Sequence, residues 1–200
     1  MPFSRALPGA SFAKAGLLSV VLLAACSNDS STELQSVRVS ADSVHAEREL
    51  GLILFGNDPY SGVVEHRDAA GTLTRELSYL DGRRSGRTRY FYPTGRVSYE
   101  AFHLSGKLVD TARSWWRDGT LRSESTFRDG LADGYRKEWY RSGNPFKHYT
   151  YVAGLEQGMQ RSWRENGSIY NNYEARDGRI YGLKRAELCF TVKDEYALQE

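Results

Sequence analysis

The chain has 200 residues, enough for one domain of ordinary size, and its 12% aromatic content with 19 glycines favours turn-punctuated β-structure over helix. Of its 27 basic residues, Arg5 and Lys14 precede any acidic one; the rest of the chain holds 25 basic against 25 acidic residues. A balanced chain excludes nucleic acid as the main partner, because phosphate binding needs a net basic surface.

Residues 1–25 read as a secretion signal, with Arg5 and Lys14 supplying the positive start and Leu17–Ala25 an apolar run too short for a permanent membrane span. The run ends in Leu23-Ala24-Ala25-Cys26, which resembles the lipobox of bacterial lipoproteins. That resemblance implies cleavage before Cys26 and acylation of its thiol, giving an N-terminal lipid anchor in the membrane. An ordinary cleavable signal followed by a chance cysteine is the alternative. Residues 26–35 then form a short polar tether. Ser27, rather than Asp, follows the cysteine; in the enterobacterial lipoprotein pattern this implies the outer membrane, with the chain facing the periplasm. Residues 36–61 are expected to form an N-terminal cap of strands covering the first repeat edge, and within them the apolar run Leu50–Phe55 suits a buried strand.

From Gly62 onward the chain repeats every 24 residues. One glycine column reads Gly62, Gly86, Asp110, Gly134, Gly158, Gly182; a second reads Gly71, Gly95, Gly119, Gly143, Gly167; a third reads Gly82, Gly106, Gly130, Gly154, Gly178. Asp110 is the one exception. Such register defines a repeat architecture. In each unit glycine opens a strand that ends on Phe91, Trp115, Trp139 or Trp163, with Arg67 breaking the column. A turn follows, clearest as Asp118-Gly119 and Asn166-Gly167, pairs that tolerate positive φ. A second strand starts at Leu73, Val97, Leu121 or Ile169 and ends near Tyr79, Phe127 or Tyr151, before Asp81-Gly82, Asp129-Gly130 or Asp177-Gly178.

The expected fold is therefore all-β: an elongated antiparallel meander, or solenoid, of about five 24-residue hairpins over residues 62–181, with a closing strand and tail at 182–200. Ten strands at about 4.8 Å each would span roughly 50 Å. Pairing Trp115 with Leu121 and counting in twos places the tryptophans, the aliphatic strand starts and Tyr79, Phe127 and Tyr151 on one packed face. Pro145, in the aliphatic column, predicts a local bulge with Phe146.

The pattern Gly-x₄-Trp-x₃-Gly-x-Leu with its downstream aromatic and Asp-Gly, and the lead-in Phe55-Gly-Asn-Asp-Pro-Tyr-Ser-Gly62, resemble the bacterial variant of the MORN repeat. Bacterial proteins of this kind are commonly labelled antitoxins of toxin–antitoxin pairs. The resemblance implies a binding module, with an antitoxin or immunity-like inhibitor as the alternative.

No catalytic constellation emerges. His45, His66, His103 and His148 sit at unrelated places in the frame, Cys189 stands alone, and Gly106-Lys107 lacks the upstream glycine of a phosphate loop. No enzyme, cofactor or metal is expected. The candidate binding residues are two columns. Arg89, Arg113, Lys137, Arg161 and Arg185 recur every 24 residues, two before the aromatic column and on the face of Trp115, Trp139 and Trp163. They either cover the rings by cation–π stacking or form a groove for an acidic peptide, a glycan or lipid headgroups. Tyr92, Trp116 and Tyr140 follow the core aromatics and are expected to line the opposite face as an exposed row. Glu76, Glu100 and Glu124 form an acidic column that pairs with basic neighbours. The expected function is a non-enzymatic envelope lipoprotein that binds or scaffolds a protein partner, with glycan or lipid binding a further alternative. Open sheet edges also allow edge-to-edge self-association. Cys189, between Leu188 and Phe190, is either a buried inert thiol or an intermolecular disulfide.

Overall fold

The computed structural model describes residues 37–185. The leader, Cys26, the tether and Cys189, with most of the expected closing strand, lie outside the described residues.

The first strand, β1 (Arg38–Ser40), runs parallel to β5 (Gly62–Arg67), with Arg38 opposite Val63 and Ser40 opposite Glu65. After a 3₁₀ turn at Ala41–Ser43 come β2 (His45–Glu47), β3 (Leu52–Phe55) and β4 (Asp58–Pro59), a separate three-stranded sheet. Backbone bonds fasten it to the long sheet: Ile53 N donates to Gly82 O at 2.8 Å and Gly82 N to Tyr60 O at 2.9 Å. The run Leu50–Phe55 is thus not a buried strand; Leu52–Leu54 are half-buried, and Leu50 and Phe55 are exposed. It is β1 that lies along β5.

The long sheet continues through β6 (Leu73–Leu80), β7 (Arg83–Phe91), β8 (Val97–Leu104), β9 (Lys107–Trp115), β10 (Leu121–Arg128), β11 (Leu131–Trp139) and β12 (Pro145–Val152). It ends with the two-residue β13 (Leu155–Glu156), β14 (Gly158–Trp163), β15 (Ile169–Arg176) and β16 (Arg179–Leu183). From β5 onward each strand pairs antiparallel with its chain neighbours, except that β13 pairs only with β12, and the sheet does not close. The described chain is all-β, with 13 strands in this sheet.

Two kinds of turn alternate. The short ones, Asp81-Gly82, Ser105-Gly106, Asp129-Gly130, Ala153-Gly154 and Asp177-Gly178, have both residues at positive φ, for example 49° and 74° at Asp81-Gly82. This is the two-residue turn whose twist matches the flanking strands. In the longer turns only the glycine is at positive φ, so Asp118-Gly119 and Asn166-Gly167 do not close hairpins as paired left-handed residues. Asp118 and Asn166 act instead through their side chains, whose Oδ1 atoms accept from Thr120 N and Ser168 N at 3.0 Å.

Two sets of bulges displace the simple alternation of faces. In each longer hairpin the second strand has one extra residue: Trp115 faces Leu121 as expected, but the next rung is Ser114 with Ser123, skipping Arg122. The same skip occurs at Thr74, Ser98, Phe146 and Tyr170, so the bulge at Phe146 belongs to the frame and is not a consequence of Pro145. The first glycine column marks the other set. Gly86 and Gly134 do not open strands; they lie within β7 and β11, where three residues of one strand face a single residue of the previous one. Gly134 has φ 105°, and a Cβ there would collide with Oγ1 of Thr126. That hydroxyl is needed where it is: it donates to Asp133 O at 2.5 Å and accepts from Tyr135 N at 2.9 Å, satisfying backbone groups the bulge leaves open.

These bulges overturn the expected packed stripe. Beyond Arg122, Ser123, Ser125 and Phe127 pair with Ser114, Ala112 and Asp110, which alternate away from Arg113 and Trp115. Tyr79, Phe127 and Tyr151 therefore do not share the tryptophan face. The core lies on the opposite face, in a column made of Val64, Leu77, Thr88, Ala101, Ala112, Tyr149, Gln160 and Tyr173, all buried; Ala101 is 0% exposed. Its middle is small, and larger neighbours such as the Tyr90–Tyr99 pair, with ring centroids at 5.3 Å, flank it. Trp115, Trp139 and Trp163 remain only half-buried.

Candidate binding surface

The face carrying the tryptophans also carries a charge ladder along the middle of the strands. Register fixes its order. Arg89 stands between Glu76 and Glu100, Arg113 between Glu100 and Glu124, Lys137 between Glu124 and His148, and Arg161 between His148 and Asn172. Arg and Lys alternate with Glu because directly opposed side chains on one face lie about 5 Å apart, where opposite charges attract.

The bonds follow the register. Arg89 Nη2 meets Glu76 Oε2 at 2.5 Å, and Arg113 Nε donates to Glu124 Oε2 at 2.7 Å. Glu124 accepts a second bond, from Tyr135 Oη at 2.7 Å. At the N-terminal end Arg38 bridges Glu65 and Glu76 at 2.9 and 2.6 Å, so β1 is tied to the sheet by charge as well as by its backbone. The hydroxyl of Tyr135, with the Arg113 guanidinium, holds Glu124 below the usual carboxylate range, and Arg67 with Arg38 does the same for Glu65.

The basic column therefore does not chiefly cover the tryptophan rings. Arg89 lies over Phe91, 5.7 Å from the centroid, whereas Lys137 sits over Tyr135 at 4.7 Å. Its first three members share a rung with an acid, and the expected pairing of Glu76 and Glu124 with basic neighbours is seen.

The row Tyr92, Trp116 and Tyr140 is not an exposed contact surface. Trp116 is only 4% exposed, with the guanidinium of Arg122 4.6 Å from its ring centroid. Tyr92 Oη donates to Trp115 O at 2.7 Å and Tyr140 Oη to Trp163 O at 3.0 Å, each a bond to the residue 23 positions on. These tyrosines staple one long turn to the next. Phe146, the extra residue of its bulge, packs on Tyr140 at 4.9 Å between centroids.

Towards the C-terminal end the acidic column is lost. Its next members are His148 and Asn172, so Lys137, His148 and Arg161 lie side by side on adjacent strands, His148 and Arg161 exposed. Arg161 Nε donates to the Asn172 amide oxygen, at 3.3 Å. Desolvation by the surrounding side chains, then Lys137 and Arg161, push His148 below the ordinary imidazole range, exposed though it is. The acid that β15 offers on this face, Glu174, is held by Arg176 through both carboxylate oxygens, at 2.7 and 2.8 Å. Sequence reasoning named Arg161 and Lys137 but passed over His148; the 24-residue step from Glu124 is the signal that finds it.

Among the described residues, no cluster of three or more His, Cys, Asp or Glu could hold a metal ion, and no helix is long and apolar enough to cross a membrane. No protein-family model matches the chain, and no curated protein matches it.

Proposed function

We propose that this chain is a non-enzymatic envelope lipoprotein, anchored through Cys26, whose sheet of five MORN-type hairpin units is a protein-binding or scaffold module. The observation that carries this reading is the tryptophan-and-ladder face. It sets half-buried Trp115, Trp139 and Trp163 beside the basic column, and these side chains stay open to solvent, that of Arg113 by 42%. Aromatic and arginine side chains in a continuous, partly desolvated patch are the composition of a contact surface. The leader supports the anchor by its sequence alone.

The test is affinity capture from detergent-solubilised envelopes with the lipidated protein as bait and a Trp163→Ala/Arg161→Glu bait as control, its folding checked by circular dichroism. One protein recovered in near-stoichiometric amount with wild type alone supports the module. The same recovery with both baits, or none with either, overturns it.

A further inference from the structure

The ladder is regular enough that its interruption has chemical content. Arg89 and Arg113 each stand between two glutamate rungs, whereas Arg161 has no carboxylate rung on either side and Lys137 has one on one side only. The acid beside Lys137, Glu124, is already engaged by Arg113 and Tyr135. Neighbouring strands lie about 4.8 Å apart. Lys137, His148 and Arg161 thus present three nitrogen-bearing groups in a row of about 10 Å, with Trp139 and Trp163 two residues further along the outer two strands.

We propose that this interruption is a docking site for the carboxylate of an acidic peptide segment of a protein partner, whose Glu or Asp side chain takes the place that a ladder glutamate holds in the earlier rungs. The proposal rests on the binding-module reading and names the chemistry of its partner. Charge complementarity argues for this occupant. Elsewhere on this face the basic column is met by Glu side chains, as at Arg89–Glu76 and Arg113–Glu124, so the surface is already fitted to carboxylates. A guanidinium such as that of Arg161 grips a carboxylate through two parallel bonds, and the flanking indoles supply apolar contact to the peptide chain.

His148 adds a condition. The charged groups facing it are Lys137 from β11 and Arg161 from β14; Tyr135 on β11 gives its hydroxyl to Glu124. In the free protein desolvation, then these two cations, oppose protonation of His148. An incoming carboxylate reverses that balance, so docking takes up a proton and tightens as pH falls through the histidine range.

The test is a titration of a fluorescein-labelled peptide, with about four glutamates in a Gly/Ser background, against the full chain in detergent, read by anisotropy at about pH 8 and about pH 5.5. Wild type binds roughly tenfold tighter at the lower pH. His148→Glu restores the ladder's own carboxylate, keeps the fold, and lowers affinity at least about tenfold at both pH values. His148→Asn keeps the affinity at the higher pH and loses the gain at the lower one. Affinity that is equal at both pH values, or unchanged in His148→Glu, overturns the proposal. So does an absence of peptide binding when vesicles of anionic phospholipid are retained by wild type and released by His148→Glu. If the captured partner is kept by His148→Glu, the module stands and this site falls.

Discussion

Across the rung that joins β9 to β10, Arg113 gives its Nε proton to Oε2 of Glu124 at 2.7 Å. The pair is half-open to water: the Arg113 side chain is 42% exposed and that of Glu124 18%. Its contribution to stability is therefore small, about 0.2–1 kcal/mol after solvent screening, and its main effect is to fix the register in which the faces are presented.

Acid should weaken the fold in two steps. His66 and His103 are held below their ordinary value by burial and by nearby arginines, so the unfolded chain binds more protons and stability starts to fall below about pH 6.5. Glu65 and Glu124 are held low by their partners. Their contribution is complete above about pH 4.3 and is lost as pH falls through their folded values. A melting-temperature profile checks this: Glu124→Gln should flatten the lower step, and His103→Gln the upper one.

Thr126→Val should cost about 1–3 kcal/mol, because it leaves Tyr135 N and Asp133 O in the bulge without their side-chain partner. Urea unfolding followed by tryptophan fluorescence measures it. A midpoint equal to wild type would mean that water replaces the hydroxyl.

The turn row separates packing from hydrogen bonding. Trp116→Ala should destabilise by about 3–5 kcal/mol, as expected for loss of a buried indole. Tyr140→Phe loses only the bond to Trp163 O and should cost about 1 kcal/mol. Denaturant midpoints of the two variants decide between them and an exposed row, for which both losses would be near zero.

Which face is packed can be asked directly. Ala101→Leu forces methyl and methylene groups into the fully buried middle column and should cost about 1–3 kcal/mol. Val97→Leu, on the half-buried tryptophan face opposite Phe91, should cost much less. Equal losses in thermal unfolding would return the core to the tryptophan side.

Much of this architecture can be read from spacing. The strand ends at Phe91, Trp115, Trp139 and Trp163 and the pairing of Trp115 with Leu121 follow from the 24-residue frame; the opposition of Arg113 to Glu124 arises only once Arg122 is skipped. The packed face was not legible, because counting in twos assumes an unbroken pleat. The skipped Arg122 and the three residues around Gly86 each move the partners, and no residue type announces the skip. The small size of Thr88, Ala101 and Ala112 gives too weak a hydrophobic signal to outweigh a column of tryptophans. Tyr92 and Tyr140 were misplaced for a related reason: their bonds reach the next long turn, 23 residues away, beyond what strand parity describes.

The neighbour-to-neighbour pairing from β5 to β16 has a mechanical consequence. A load applied at the C-terminal end meets one ladder at a time, since the strand at the loaded end is held only by the one before it, and it need never break two ladders together. Under tension the sheet should unzip in a train of small steps, each set by one strand and its ladder, rather than rupture at a single high force.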